Sequence, residues 1–428
     1  MSSNIPYIRK LLDNEFLKNL TTLVSGTAAA QLLAFVLIPV LTRLYSQEAF
    51  GIFTSFSAMV SLISSYATLK YDTAIILPKK DIDAYTLLKL SNYISIVLIL
   101  ITCLILYLPV PYFREYSGLQ IFIAVGAIFF VNYNISTLWN VRKKRFKIIT
   151  AAKIFQSAGI FIFQFIFYYF FKLHGLVIGN AVGVFLACCF LYFTRLKKIE
   201  DKLRQPTKKE TFKKIAKRYI DFPKYFVWSE IIFSLSSNLP TLLFVRFIPI
   251  NSLGLYGIAL RLMQQPVLLI SYNVNRIVMS YMSEKHFQNA PILKWYLKII
   301  LLLFIISSLG SLIILWKGEY LVTIFLGDEW TVAGTLLKAM IPTLIGAMVT
   351  APSYAAERIF KLQRYVLIFS IASFIVKAVT LIMLFYLGLK FEILIFIYSI
   401  VTLILILFNN LYLIRKIYFY DRSVQCKL

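Results

Sequence analysis

Apolar runs and polar gaps alternate along this chain, and their lengths predict its fold. Twelve runs are long enough to cross a hydrocarbon core of about 30 Å, which takes ~20 helical residues. They lie at about 19–41, 49–70, 86–108, 118–140, 148–171 and 174–194, then at about 223–246, 253–280, 296–316, 332–356, 364–387 and 391–414. The fifth and sixth are so close that they predict a helical hairpin. Between the sixth and seventh lies one long hydrophilic stretch, Arg195 to Lys224, with twelve Lys or Arg against four acids. The pattern predicts an all-α integral membrane protein of about twelve transmembrane helices. An N-terminal six-helix lobe spans 1–194, a basic linker 195–222, and a C-terminal six-helix lobe 223–428.

Composition agrees, and charge adds an orientation. Of 428 residues 60% are apolar, against about 45–50% in soluble domains. The net charge of +26 would fit nucleic acid, but the bases fall in the gaps between apolar runs. The linker also lacks the interleaved aromatics of a single-strand platform. It reads as a solvated cytoplasmic segment leaning on anionic headgroups. With the N-terminus inside, the inner gaps hold Lys70, Lys79 and Lys80; Arg142 to Lys147; the linker bases; Lys285, Lys294 and Lys298; and Arg358, Lys361 and Arg364. Each of the six outer gaps holds one base: Arg43, Arg114, Lys172, Arg246, Lys317 or Lys390. By the positive-inside rule both termini are cytoplasmic.

Other chemistry is sparse. The four cysteines and two histidines form no C-x-x-C or ligand cluster, so no metal, disulfide framework or histidine proton relay is expected. No G-x-x-x-x-G-K-[ST] loop is present, which argues against ATP hydrolysis in this chain, and no cofactor is implied. Ala28-Ala29-Ala30 resembles a cleavage site, but the apolar run continues to Val40, as in an uncleaved first helix.

The two halves read as copies. Arg43-LYSQEAF-Gly51 ends the first run and opens the second; Arg246-FIPINSL-Gly254 does the same for the seventh and eighth, with the same spacing of eight. Repeats of equal orientation are related by an axis along the membrane normal.

The segments TRLYSQEAFGIFTSFSAMVSLISSY and KYDTAIILPKKD, with NVRKKRFK at 140–147 and HGLVIGN at 174–180, resemble the polysaccharide (O-antigen) flippases. These belong to the multidrug/oligosaccharidyl-lipid/polysaccharide exporter superfamily. The resemblance implies a V-shaped pair of lobes around a cavity lined largely by spans 1, 2, 7 and 8. It also implies a bacterial inner membrane and the movement of an undecaprenyl-diphosphate-linked oligosaccharide to the periplasmic leaflet. The expected partners are that lipid-linked oligosaccharide, membrane lipids and other polysaccharide-assembly membrane proteins, with no nucleic acid.

Such a substrate needs hydroxyl-binding groups and cations, and polar stripes at helical spacing supply candidates. Span 2 carries Ser61 and Thr68, span 7 Ser237 and Asn238, span 8 Gln264, Gln265 and Asn275, and span 11 Ser373. Helix packing explains the span 2 stripe equally well. Charges inside a span are harder to explain by packing, because each costs about 2.5–3.5 kcal/mol even on insertion scales. Lys377, Arg261 and Arg276 are the candidates for the diphosphate. Glu230 is read as either an ion-pair partner or an ion-coupling group, and Asp72 as a partner for Lys70 or another inner-face base. A net positive cavity fits an anionic lipid carrier better than a drug–cation exporter of the same fold, which would want acids. A membrane polymerase or ligase would want a large outer loop, and every outer gap is short. An assembly scaffold docking through its linker is the remaining alternative.

Overall fold

The computed structural model describes residues 26, 28–196 and 209–425. Residues 1–25 and 426–428, which include both termini, and the middle of the linker, 197–208, lie outside the described residues.

Helices cover most of the described residues of all twelve predicted spans. They are α1 Ala28–Leu44, α2 Gln47–Tyr66, α3 Asp81–Leu106, α4 Gln120–Arg142, α5 Phe146–Phe170 and α6 Gly175–Leu196. After the linker come α8 Val227–Phe247, α9 Ile250–Phe287 and α10 Leu293–Leu326. The chain ends in α14 Gln363–Tyr386 and α15 Phe391–Gln425. Nine of these helices are long and apolar enough to cross a membrane. The tenth predicted span is broken: α11 Thr331–Ala339, α12 Ile341–Val349 and α13 Ser353–Ile359 replace one helix, with a bend of 53° after Ala339. Pro342 sits at the start of α12, where its missing N–H and fixed φ favour a new helix over a continuing one.

The linker is not wholly irregular. Its second part forms α7, Lys209–Arg218, followed by a π-helical turn at Phe222–Phe226 that leads into α8. Ile215 is buried, Phe212 meets the Tyr93 ring at 5.9 Å, and Arg218 pairs with Asp83 at 3.1 Å. Amphipathic spacing that reads as solvated in the sequence thus has an apolar edge laid along α3.

The chain divides into two units. The first comprises Met1–Tyr45 and Ile52–Ser234, the second Ser46–Gly51 and Leu235–Leu428. In the first unit α5 and α6 form the predicted hairpin. Gly179 and Gly183 let the helices touch backbone to backbone: a Cβ on either would lie 2.5 Å from the backbone of Gln164 or Ile160. Small residues allow this approach where lipid gives helices little hydrophobic reason to associate. At the end that the charge distribution assigns to the cytoplasm, Arg142 ties the turn after α2 to α4. It donates to Asp81 and to the carbonyls of Ile75, Ile76 and Pro78.

In the second unit the repeated glycines meet each other. A Cβ on Gly51 would lie 2.0 Å from the Ile250 carbonyl oxygen, and one on Gly254 1.9 Å from that of Gln47. Each of those carbonyls belongs to the residue four before the other glycine, so the crossing has local two-fold symmetry. The sequence repeat is therefore a packing requirement. Elsewhere Asp421 of α15 accepts hydrogen bonds from the Ile292 and Leu293 amides at 2.9 Å and caps α10. Outward apolar residues such as Leu301, Phe304, Leu309 and Leu312 are 50–60% exposed. A helix facing lipid turns such side chains outward.

Candidate functional site

Within the second unit, α8, α9, α12, α14 and α15 enclose a cavity of about 220 Å³. Ser236, Ser237 and Pro240 come from α8, Tyr256 and Gln264 from α9, Thr343 from α12, and Tyr398, Ser399 and Thr402 from α15. Lys377 of α14 is the one charged side chain among the described lining residues. An ammonium facing hydroxyls, an amide and two phenols, with no carboxylate, is arranged to receive an anion bearing hydroxyl groups. Pro240 and Pro266 sit inside α8 and α9. Proline removes one ladder hydrogen bond and opens the helix locally.

The structure brings Lys377, Ser237 and Gln264 to one cavity. Gln265 is partly buried beside it in sequence, and its Oε1 has no hydrogen-bond partner. Arg261 is not in this lining; its guanidinium carbon lies 5.7 Å from the centre of the Phe50 ring. Phe50 in turn packs edge-on against Trp330 at 5.0 Å. Asn238 and Asn275 are partly buried, and Ser373 is buried one turn before Lys377 without facing the cavity. The side chain of Arg276 lies outside the described residues.

The remaining candidates fall in the first unit. Glu230 pairs with Lys70 at 3.3 Å. Lys70 is therefore not the partner of Asp72, which accepts instead from the Thr68 hydroxyl at 2.6 Å. Ser61 is exposed on α2. Ser57 and Ser64 of the same stripe donate to the Phe53 and Val60 carbonyls in their own helix, a local use that needs no ligand.

Sequence reasoning missed two features. Tyr398, Ser399 and Thr402 share a face of α15, but they are diluted in an apolar run; their one-turn spacing was the available signal. The second is a buried polar group in α13 and α15. Asn409 Nδ2 donates to Glu357 Oε1 at 3.1 Å. Ser353 donates to Asn410 and meets the Tyr296 hydroxyl at 3.2 Å. Glu357 falls one residue past the predicted end of its span, so it went uncounted among membrane carboxylates.

Comparison with known proteins places the fold and the family. A sequence model of the family described as "Polysaccharide biosynthesis protein" matches residues 40–335. A curated relative, the teichuronic acid biosynthesis protein TuaB of Bacillus subtilis (strain 168), is 23% identical over 124 residues, 29% of this chain. That match spans 26% of the relative's length. The fold is that of a lipid II flippase, MurJ, in an inward closed conformation: TM-score 0.70 at 14% identity, covering 94% of this chain and 90% of that one. It is equally that of an inward-facing multidrug resistance MATE family transporter of the MOP superfamily: TM-score 0.69 at 14% identity, covering 92% and 96%. With a multi-pass helical membrane fold shared by transporters and a family match across most of its length, the chain belongs to the polysaccharide biosynthesis protein family.

Proposed function

We propose that this protein moves an undecaprenyl-diphosphate-linked oligosaccharide from the cytoplasmic to the periplasmic leaflet of a bacterial inner membrane, by alternating access. The observation that carries this reading is the cavity of the second unit, with Lys377 as its charge and hydroxyls around it. An ammonium inside a membrane span is costly unless an anion meets it. A diphosphate entering a low-dielectric path needs charge-assisted hydrogen bonds to replace its hydration. Tyr256 and Tyr398 add aromatic faces, and Ser237, Ser399 and Thr402 add hydroxyls. At about 220 Å³ the cavity is smaller than the ~300–1,000 Å³ of drug-sized pockets. It therefore serves as a subsite for one portion of the carrier-linked unit. A drug–cation exporter would place a carboxylate here, and the described lining has none.

The test is transfer of a fluorescent undecaprenyl-diphosphate oligosaccharide across proteoliposome leaflets. Lys377→Ala is expected to lower the rate by roughly tenfold or more, the value of one charge-assisted hydrogen bond. Arg261→Ala, outside this cavity, is expected to have a smaller effect. Transfer that persists unchanged in Lys377→Ala would remove the cavity from the mechanism. No transfer by folded wild type across several glycans would reject the flippase reading itself.

A further inference from the structure

The described residues of the first unit leave one buried cation unsatisfied. Arg195 stands in the last turn of α6, and 95% of it is shielded, with a relative exposure of 5%. Neither its Nε nor its Nη1 has a hydrogen-bond partner among the described residues. The guanidinium carbon lies 4.9 Å from the centre of the Tyr192 ring. Its other electrostatic neighbours are Tyr85 and Cys188, and none of the three is a carboxylate. Tyr85 meets Trp139 edge-on at 5.5 Å, and Lys89 Nζ lies 4.9 Å from the Tyr85 ring centre. Lys143 Nζ is 5.4 Å from the centre of the Trp139 ring.

Arg142 shows what a satisfied guanidinium in this unit looks like. It is comparably shielded, with a side-chain exposure of 10%, yet it reaches Asp81 and three backbone carbonyls. Among the described residues Arg195 has the Tyr192 ring face, the neighbouring Tyr85 and Cys188, and its place in the last turn of its own helix. A contact over an aromatic ring and a favourable helix dipole recover a minor part of the hydration lost by a buried guanidinium. Unpaired donors on a buried ion are the arrangement that a bound anion completes.

We infer that Arg195 is the centre of an anion site that takes a phosphate group at the membrane surface, walled by Tyr85 and Tyr192. Phosphate suits the position for two reasons. The site closes a span at the end that the charge distribution assigns to the cytoplasm, where phosphate esters line the bilayer. A guanidinium also presents several N–H donors in a fixed plane to phosphate oxygens, which a lysine does not. The phosphate has two possible sources, an anionic phospholipid headgroup or the diphosphate of a prenyl carrier. The site lies in a different unit from the Lys377 cavity, and its existence does not depend on the transport reading.

The experiment is a thermal-unfolding titration of the full-length protein in neutral detergent, read by intrinsic fluorescence. The probes are dihexanoyl phosphatidylglycerol and farnesyl diphosphate, with sodium chloride at matched ionic strength as the baseline. Wild type is expected to gain Tm saturably with at least one probe. Arg195→Met is expected to raise the half-saturating concentration by at least tenfold. A response to phosphatidylglycerol alone assigns the headgroup, a response to farnesyl diphosphate alone assigns the carrier, and a response to both assigns the shared phosphate. No saturable response in wild type overturns the site, as does an equal midpoint in Arg195→Met. If that variant does not fold, Arg195→Lys replaces it. It keeps the charge and loses the fork, and a midpoint shifted by less than threefold overturns the proposal.

Discussion

The turns at the two ends of the helices solve the same backbone problem with different residues. Three turns in gaps predicted to face the periplasm place glycine at positive φ: Gly118 at 80°, Gly327 at 108° and Gly388 at 62°. Turns in gaps predicted to face the cytoplasm use other residues: Leu69 and Lys70 at 47° and 58°, Lys144 at 55°, Asn289 at 50° and Lys361 at 53°. Lys144, Asn289 and Lys361 share one hydrogen-bond pattern. The next residue's amide reaches back five positions, from Arg145 to Asn140, from Ala290 to Lys285 and from Leu362 to Glu357. This is the helix-ending motif in which glycine is the usual choice. A side chain there costs ~1 kcal/mol. Keeping lysine in two of the three turns retains charge where membrane insertion reads it, and a cation after a helix C-terminus also meets the negative end of the dipole. The comparison teaches that turns in the predicted periplasmic gaps are built for conformational ease, while those in the predicted cytoplasmic gaps accept strain in exchange for charge.

Substitutions sharpen this contrast, and thermal unfolding of purified protein in detergent measures each. Gly327 has φ 108° and ψ 164°, a region that is essentially glycine's alone. Gly327→Ala is expected to cost about 2 kcal/mol through the backbone, because a Cβ there would meet nothing within 4 Å. Gly388→Ala, in the milder left-handed region and equally open, should lose about 1 kcal/mol. A loss as large as that of Gly327→Ala would show that packing, not φ, dominates these turns. Lys144→Gly runs the other way, with a gain of roughly 0.5 kcal/mol as relief of strain outweighs the added freedom of the unfolded chain. A loss instead would mean that the Lys144 side chain stabilises the turn, and the idea of accepted strain would fail.

The positions also recur between the halves. Lys144 follows the fourth span and Lys361 the tenth; Gly118 precedes the fourth and Gly327 the tenth. The repeat read from Arg43–Gly51 and Arg246–Gly254 is thus echoed in backbone conformation. That repeat was visible because glycine spacing survives in one dimension. The α5–α6 hairpin was visible because its gap is too short for any other arrangement. The break between α11 and α12 was legible in part, since Pro342 inside an apolar run marks a kink without giving its angle. The apolar edge of α7 was hidden by the charge density around Phe212 and Ile215. Of the site, Lys377 stood out because a lysine in the middle of a span needs a reason. Tyr398, Ser399 and Thr402 did not, because isolated hydroxyls in an apolar helix are common and cheap.

By itself the sequence determined that the chain is a membrane protein, where its helices lie and which gaps carry charge. Those properties are sums over contiguous residues, and the bilayer imposes their length and sign. Only the tertiary structure decided which polar residues share a space. It set Lys377 among groups from four other helices and left Arg261 over an aromatic ring. It gave Glu230 to Lys70 and left the Nε and Nη1 of Arg195 without partners among the described residues. Partnership depends on how helices far apart in sequence rotate and cross. The packing of apolar surfaces and glycine contacts sets that geometry, and the polar residues do not encode it themselves.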